Sequence, residues 1–279
     1  VINPFLEILG DNDNIYTIIY YDEQGNEYFK QEIKCNHWVK LSRQYYTKWK
    51  IKIYENENLI FDYTLDYKGK RVFIAFDSSS LGDNIAWMPY VEEFRKKHEC
   101  EVICSTFKND LFKEVYPNIN FVNPGTVVHD IFGMYLIGRF YNKDKEPELP
   151  NIAPLQKTIT NILGLDFKEI VPKLSFKPTN EKLYEKYVTI ATSSTAQLKY
   201  WNFPNGWQIL CDKLNEMGYK VVNVSKENCN LKNVIELNNK SLNNTMNVIY
   251  NSEFFIGLSS GLSWLSWALG KKVVMISNF

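Results

Sequence analysis

The chain has 279 residues, 45% hydrophobic and 23% charged, the mix of a soluble globular protein with core material for two domains. Lys plus Arg and Asp plus Glu each total 32. Zero net charge argues against binding nucleic acid or an anionic membrane through bulk electrostatics. The five cysteines, Cys35, Cys100, Cys104, Cys211 and Cys229, are odd in number, scattered and without a CxxC pair. That argues against a disulfide framework or zinc ribbon and favours a reducing, cytoplasmic compartment. No run of about 18 apolar residues predicts a membrane span. The opening VINPFLEILG lacks an initiator Met and a signal-peptide pattern, and reads as trimmed. The 18 Tyr, 17 Phe and 7 Trp imply large packed surfaces or a sugar-binding or protein-binding face.

Residues 1–68 read as a small antiparallel sandwich or barrel. Asn14 to Tyr21, Tyr28 to Ile33, Trp49 to Tyr54 and Leu59 to Leu65 are strand-like, with turns at 23–26 and 55–58. The aromatics Tyr45, Tyr46, Trp49, Tyr54 and Tyr63 cannot all share one core face, so some are expected to look outward. From residue 69 the pattern changes to strand, loop, helix, strand. Arg71 to Phe76, Cys100 to Cys104 and Ile119 to Val122 are expected strands, and Ile85 to Lys97 a helix after a loop over 77–83. An apolar helix is expected around Ile131 to Phe140, then a charged linker, then a helix over Leu155 to Leu163.

A second α/β unit occupies 171–279. Tyr187 to Ser193, Lys220 to Ser225, Phe254 to Leu258 and Lys272 to Ser277 read as strands. Pro204 to Met217, Ser241 to Tyr250 (capped near Asn243) and Leu262 to Leu269 read as helices. The expected fold class is therefore α/β: a β module over 1–68, a Rossmann-like domain over 69–170 and another over 171–279.

Ligands of parallel sheets bind at the carboxyl ends of strands, and three such ends carry small polar residues. The first is Asp77 to Asp83. Gly82 permits close approach of a ligand, Ser80 precedes it, and Asp83 stands at a helix start, where an N-cap is the bland alternative. The second is Thr192 to Trp201, whose Thr195, Gln197 and Lys199 suit a phosphate cradle or merely a solvated loop. The third, Ser259-Ser260-Gly261-Leu262, leads a strand into a helix whose amides suit a diphosphate. Lys226 follows a strand and is a further anion contact. Neither GxGxxG nor GxxxxGK[ST] occurs. His37, His98 and His129 are isolated, so no metal site is expected. Trp264 and Trp267, three apart, read as core.

Taken in order, these loops resemble the bacterial ADP-heptose heptosyltransferases of the GT-B fold. Residues 77–87 are similar to that family's opening motif, Lys199 and Trp201 to its Lys-x-Trp, and Ser260-Gly261 with Ala268-Leu269-Gly270-Lys271 to its Ser-Gly…Ala-Leu-Gly-Lys. Gly-Leu-Ser-Ser-Gly-Leu-Ser-Trp-Leu (257–265) and the leading β module resemble the TibC-like autotransporter (adhesin) heptosyltransferases. Ser259 stands where the wider family has Asp, and Trp264 where it has His, both as in this subgroup.

The resemblance implies an inverting transferase that moves heptose from ADP-heptose to serine hydroxyls of an adhesin, with no cofactor in the chemical step. Asp83 would be the general base, with Ser80 and Gly82 on the acceptor side. Thr195, Gln197, Lys199, Lys226, Ser259, Ser260, Gly261 and Leu262 would bind the donor. It also implies a homo-oligomer, and a carboxyl-terminal domain continuing beyond Phe279 into a cysteine segment that holds iron(III). Two other readings stay open: transfer to lipopolysaccharide or another glycan, and a non-catalytic scaffold that binds a sugar nucleotide.

Overall fold

The computed structural model describes residues 3–238 and 240–277. The chain divides into two compact units. One holds the residues up to Ser78 with Tyr90–Asn109 and Pro117–Glu169; the other holds Ser79–Pro89, Asp110–Tyr116 and the residues from Ile170 on.

The first unit begins with β1 (Phe5–Ile8), β2 (Ile15–Tyr21), β3 (Glu27–Lys34), β4 (His37–Lys40), β5 (Lys50–Glu55) and β6 (Asn58–Thr64). β2, β3, β5 and β6 are the four expected strands, joined antiparallel in the order β3-β2-β5-β6. β1 and β4, which the alternation does not reveal, pair separately over four residues each. The first hairpin closes where Asp22 accepts from Gly25 (3.1 Å), and Gly25 holds φ of 82°, a conformation that costs glycine little. Tyr16, Ile18, Tyr20, Ile33, Trp49 and Ile53 form the core of this module. Burying each such side chain stabilises by roughly 1.5–3 kcal/mol. Of the five aromatics singled out above, only Trp49 is buried, at 3% exposure; Tyr45, Tyr46, Tyr54 and Tyr63 are half-buried.

The same unit then builds an all-parallel sheet from β7 (Arg71–Phe76), β8 (Glu101–Ser105), β9 (Ile119–Val122) and β10 (Gly133–Ile137), ordered β10-β7-β8-β9. The helices α1 (Leu81–His98) and α2 (Leu155–Leu163) follow β7 and β10. The apolar run 131–140 is thus a strand, not the expected helix. Periodicity cannot separate the two for so short a run. Here pairing of all five residues of β10 with Val72 to Phe76 decides it. α1 is buried on all sides through its middle, from Ile85 to Val91, the pattern of a helix enclosed by its neighbours.

In the second unit β11 (Tyr187–Ala191), β12 (Lys220–Asn223), β13 (Val234–Glu236), β14 (Phe255–Leu258) and β15 (Val273–Ile276) run parallel in the order β13-β12-β11-β14-β15. α3 (Gly206–Glu216), α4 (Leu242–Asn251) and α5 (Gly261–Ala268) are its helices. β11 is buried at all five positions, as a central parallel strand should be. Ser241, rather than Asn243, caps α4, its hydroxyl accepting from the Asn244 amide at 3.2 Å. Two parallel sheets behind an antiparallel module agree with the α/β class read from the sequence.

Glu146, in the charged segment after β10, is only 2% exposed. Its Oε2 accepts from the Phe140 amide at 3.1 Å, and burial pushes its carboxyl from 4.5 up to about 7. The folded state therefore favours the neutral acid. That contribution is complete below about pH 4.5 and disappears as pH rises to about 7. Glu146→Gln mimics the neutral form. Relative to wild type, urea denaturation should find it gaining stability between pH 5 and pH 8, by on the order of 2–3 kcal/mol. A difference independent of pH would show that Glu146 is not held neutral.

Candidate functional site

Both parallel sheets reverse their strand order once, and ligand loops gather at such switch points. In the first sheet the reversal lies between β7 and β10. The chain leaving β7 is tied there, Asp77 donating its amide to the Ile137 carbonyl at 2.8 Å. In the second sheet the reversal lies between β11 and β14. Thr192 to Tyr200 leaves β11 at that point, and Ser259-Ser260 leaves β14. All three loops that the sequence singles out therefore sit at switch points.

The loop after β7 is shorter than expected. α1 begins at Leu81, so Asp83 lies within its first turn, not in a loop and not at the N-cap. Ser80 precedes the helix, and its carbonyl accepts from Asn84 twice, from the amide at 3.2 Å and from Nδ2 at 2.8 Å. Asn84, fully buried, pins this turn. Sequence reading passed over it, although an amide side chain four residues after a serine was the available signal.

In the second unit the start of α1 meets the start of α5. A Cβ on Gly82 would stand 3.2 Å from the Gly261 Cα and 3.1 Å from the Trp264 Cδ1; one on Gly261 would stand 3.1 Å from the Gly82 amide nitrogen. At either position a side chain would crowd its neighbours, which would have to give way by a few tenths of an ångström. Asp83 is the next residue along α1, so the contact brings the first turn that carries it against a helix terminus whose dipole favours anions. At that terminus the Ser260 hydroxyl is buried without a partner and does not cap the helix. The Ser260 carbonyl accepts from the Ser263 amide (3.1 Å) and the Trp264 amide (3.4 Å), while the first amides of a helix have no intrahelical acceptor. Ser260, Gly261 and Leu262 thus form a group of donors suited to phosphate oxygens.

The other candidates lie on neighbouring loops of this edge. Lys199 ends a short 3-10 turn, Gln197–Lys199, and is half-buried, whereas Thr195, Gln197 and Lys226 are exposed. The loops after β11 and β12 are joined through the Thr192 amide, which donates to the Ser225 hydroxyl at 3.0 Å. Among the described residues no carboxylate lies within ion-pair distance of Lys199 or Lys226, so both cations are available to an anion. Trp201 is a packing residue, stacked on Phe203 and set edge-on to Trp207. Trp264 and Trp267 are half-buried rather than core, and Trp264 lies against Gly82. Lys271 is structural: its ammonium donates to the Ser252 carbonyl at 2.9 Å, on the amino-end side of β15. His98 is half-buried among Tyr46, Tyr67 and Phe94, and its pKa is lowered to about 4, chiefly by desolvation.

No family model matches the chain. It is 34% identical to the autotransporter heptosyltransferase Aah of Escherichia coli over 99% of its own length and 75% of Aah. It is 28% identical to the inactive autotransporter heptosyltransferase BimC of Burkholderia thailandensis over 86% of its length and 60% of BimC. Its fold superposes with TM-score 0.89 and 28% identity on the dodecameric iron-containing heptosyltransferase TibC, solved with ADP-D-beta-D-heptose, covering 98% of this chain and 77% of TibC.

TibC contains iron, but the residues described here do not fit such a site. Four cysteines are buried and all five are free. Among the described residues no three His, Cys, Asp or Glu side chains converge as a metal would require.

The glycine contact can be tested. Gly82→Ala gains about 1 kcal/mol of helix propensity but overpacks against Gly261 backbone, at roughly 1–3 kcal/mol. A net loss of about 1 kcal/mol in urea denaturation is expected. A variant of undiminished stability would show the two helix starts to be loosely packed.

Proposed function

This chain belongs to the autotransporter heptosyltransferase family, and we propose that it moves heptose from ADP-heptose to serine hydroxyls of an autotransporter adhesin, with inversion at the anomeric carbon. The observation that supports this reading is the Gly82–Gly261 contact, which brings the helix turn that carries Asp83 against the start of α5, where the Ser260 hydroxyl has no partner.

In the reaction, the serine oxygen forms a bond to the anomeric carbon as that carbon's bond to the diphosphate oxygen breaks. The serine proton passes to Asp83, and ADP leaves with the bonding electrons. A carboxylate is a weak base, yet it suffices, because the hydroxyl becomes acidic only as its bond to carbon forms. Ser80 and Gly82 line the acceptor side. Negative charge grows on the departing diphosphate, where Lys199, Lys226 and the α5 terminus stabilise it. Ser259 flanks that terminus, and Thr195 and Gln197 hydrogen-bond the rest of the donor. No step requires a metal.

The domain division at 68 and 170, a GT-B pairing of the two parallel sheets, a cytoplasmic location and a homo-oligomer belong to the same proposal. They are supported by family membership, by the free cysteines and by the dodecameric state of TibC. Among the described residues no helix is long and apolar enough to cross a membrane.

Likeness to BimC, an inactive relative, favours a second reading, a scaffold that binds the sugar nucleotide without turning it over. Release of ADP on mixing with ADP-heptose and acceptor separates the two, because the scaffold releases none. In the enzyme, Asp83→Asn should leave donor affinity intact and reduce transfer by about 10² or more. Near-normal turnover in that variant would reduce Asp83 to a helix-terminus charge. Lys199→Ala should weaken ADP-heptose binding and slow transfer, since its charge meets the diphosphate in ground and transition states alike. Calorimetry giving unchanged donor affinity would remove Lys199 from the site.

A further inference from the structure

β11, β12 and β13 lie side by side in the second sheet, and the side chains at their carboxyl ends form one hydrogen-bonded chain. We propose that this chain, from Glu236 through Asn223 and Ser225 to Thr192, is a strut of positioning residues that sets the Lys199 and Lys226 loops for the donor's diphosphate. The inference rests on the transferase reading above, which puts the diphosphate at these lysines.

Glu236 ends β13 and Asn223 ends β12, directly opposite each other in register. Asn223 is fully buried, and both polar atoms of its side chain are used. Nδ2 donates to Glu236 Oε2 at 2.7 Å and to the Glu227 carbonyl at 3.0 Å, while Oδ1 accepts from the Ser225 amide at 3.0 Å. Ser225, 2% exposed, turns towards the neighbouring strand. The backbone bonding between β12 and β11 reaches the Val224 amide, which donates to the Ile190 carbonyl at 2.9 Å. Beyond it the Thr192 amide donates to the Ser225 hydroxyl at 3.0 Å, so a side chain takes over where the strands end.

Glu236 anchors the far end. Its Oε1 accepts from the Cys229 amide at 2.9 Å and from the Cys229 thiol at 3.0 Å. Burial opposes its charge, but the hydrogen bonds from Cys229 and Asn223 outweigh that and hold its carboxyl below the usual value. Bonds to an ionised acceptor are the strong ones. Burial and Glu236 push the Cys229 thiol up to about 11, so at neutral pH it keeps its proton and donates. Both carboxylate oxygens are thus engaged by neutral donors.

The consequence falls on the two loops. Lys226 follows Ser225 directly and lies between two tied residues, Ser225 and Cys229. Lys199 closes the segment that begins at Thr192. Both loops take their direction from the same buried asparagine. Two cations brought to one anion repel each other until it binds, and exposed loops free to move would relax apart. A buried chain of hydrogen bonds resists that relaxation and keeps the site open for the diphosphate, which lowers the ordering cost of binding.

The test is calorimetry of the full chain with ADP. Ser225→Ala removes the hydroxyl that receives Thr192. Glu236→Gln, at a half-buried position, replaces one acceptor oxygen with an amide group and carries the same measurement should Ser225→Ala fail to fold. Each should weaken ADP binding by about tenfold, the scale of one good hydrogen bond. A double-mutant cycle separates positioning from mere support of the fold. With Lys199→Ala in the background, the Ser225→Ala loss should shrink to about threefold or less, because the tied loop no longer carries its cation. Unchanged affinity in both variants, or the same loss with and without Lys199, overturns the proposal. ADP release from ADP-heptose with strut-independent affinity sinks the strut alone. Affinity that depends on the strut, in a protein that never releases ADP, supports the strut and sinks the transferase reading. A chain that binds no ADP overturns both.

Discussion

Two helices begin in contact, with no side chain between them, and the chemistry proposed for the second unit depends on that contact. α1 and α5 follow different strands, yet Gly82 and Gly261 let their first turns touch backbone to backbone. Any Cβ at either place would meet main-chain atoms, which cannot rotate away. The consequence is electrostatic as well as steric. Two amino-terminal dipole ends converge, a positive field that a bound anion relieves. The Asp83 carboxylate in the first turn of α1 contributes the opposing charge.

Topology supplies the rest of the site. Each sheet is parallel and reverses strand order once, so loops leaving adjacent strands in opposite directions open a crevice. Interior strands such as β11 are buried on both faces, leaving no space for a polar ligand except beyond their carboxyl ends. The cations Lys199 and Lys226 stand on loops there, without carboxylate partners among the described residues. Zero net charge hides this locally basic edge, because total charge says nothing about where charges gather. Lys271 shows the converse. It lies in a segment that the sequence reading likens to a heptosyltransferase motif, but it bonds to the Ser252 carbonyl.

The antiparallel module follows different physics. Its core rings pack edge to face, Tyr20 against Trp49 at 5.9 Å, while others border a cavity whose walls carry no charge except Arg43. The aromatic excess in the composition is thus divided between ordinary core and a partly polar chamber. Only packing separates the two uses, since a tyrosine reads the same in either.

Much of this was legible in the residue order. Strand alternation marked β2, β3, β5 and β6, and apolar runs bounded by turns marked β7, β9 and α2 nearly to the residue. Small polar residues at strand ends located the three loops, because parallel sheets leave ligands nowhere else. β1, β4 and β13 escaped notice, being only three or four residues long with too little pattern to detect. The 131–140 run was misread, since five apolar residues carry no period and a neighbouring strand chose between helix and sheet. The sequence alone determined residue chemistry and local periodicity: a carboxylate and two glycines at helix starts, hydroxyls and lysines after strands. Tertiary structure alone decided that Gly82 faces Gly261, 179 positions along the chain by their numbers, and that the Ser225 hydroxyl meets the Thr192 amide. Such pairings arise from contacts distant in sequence, and no local propensity encodes them.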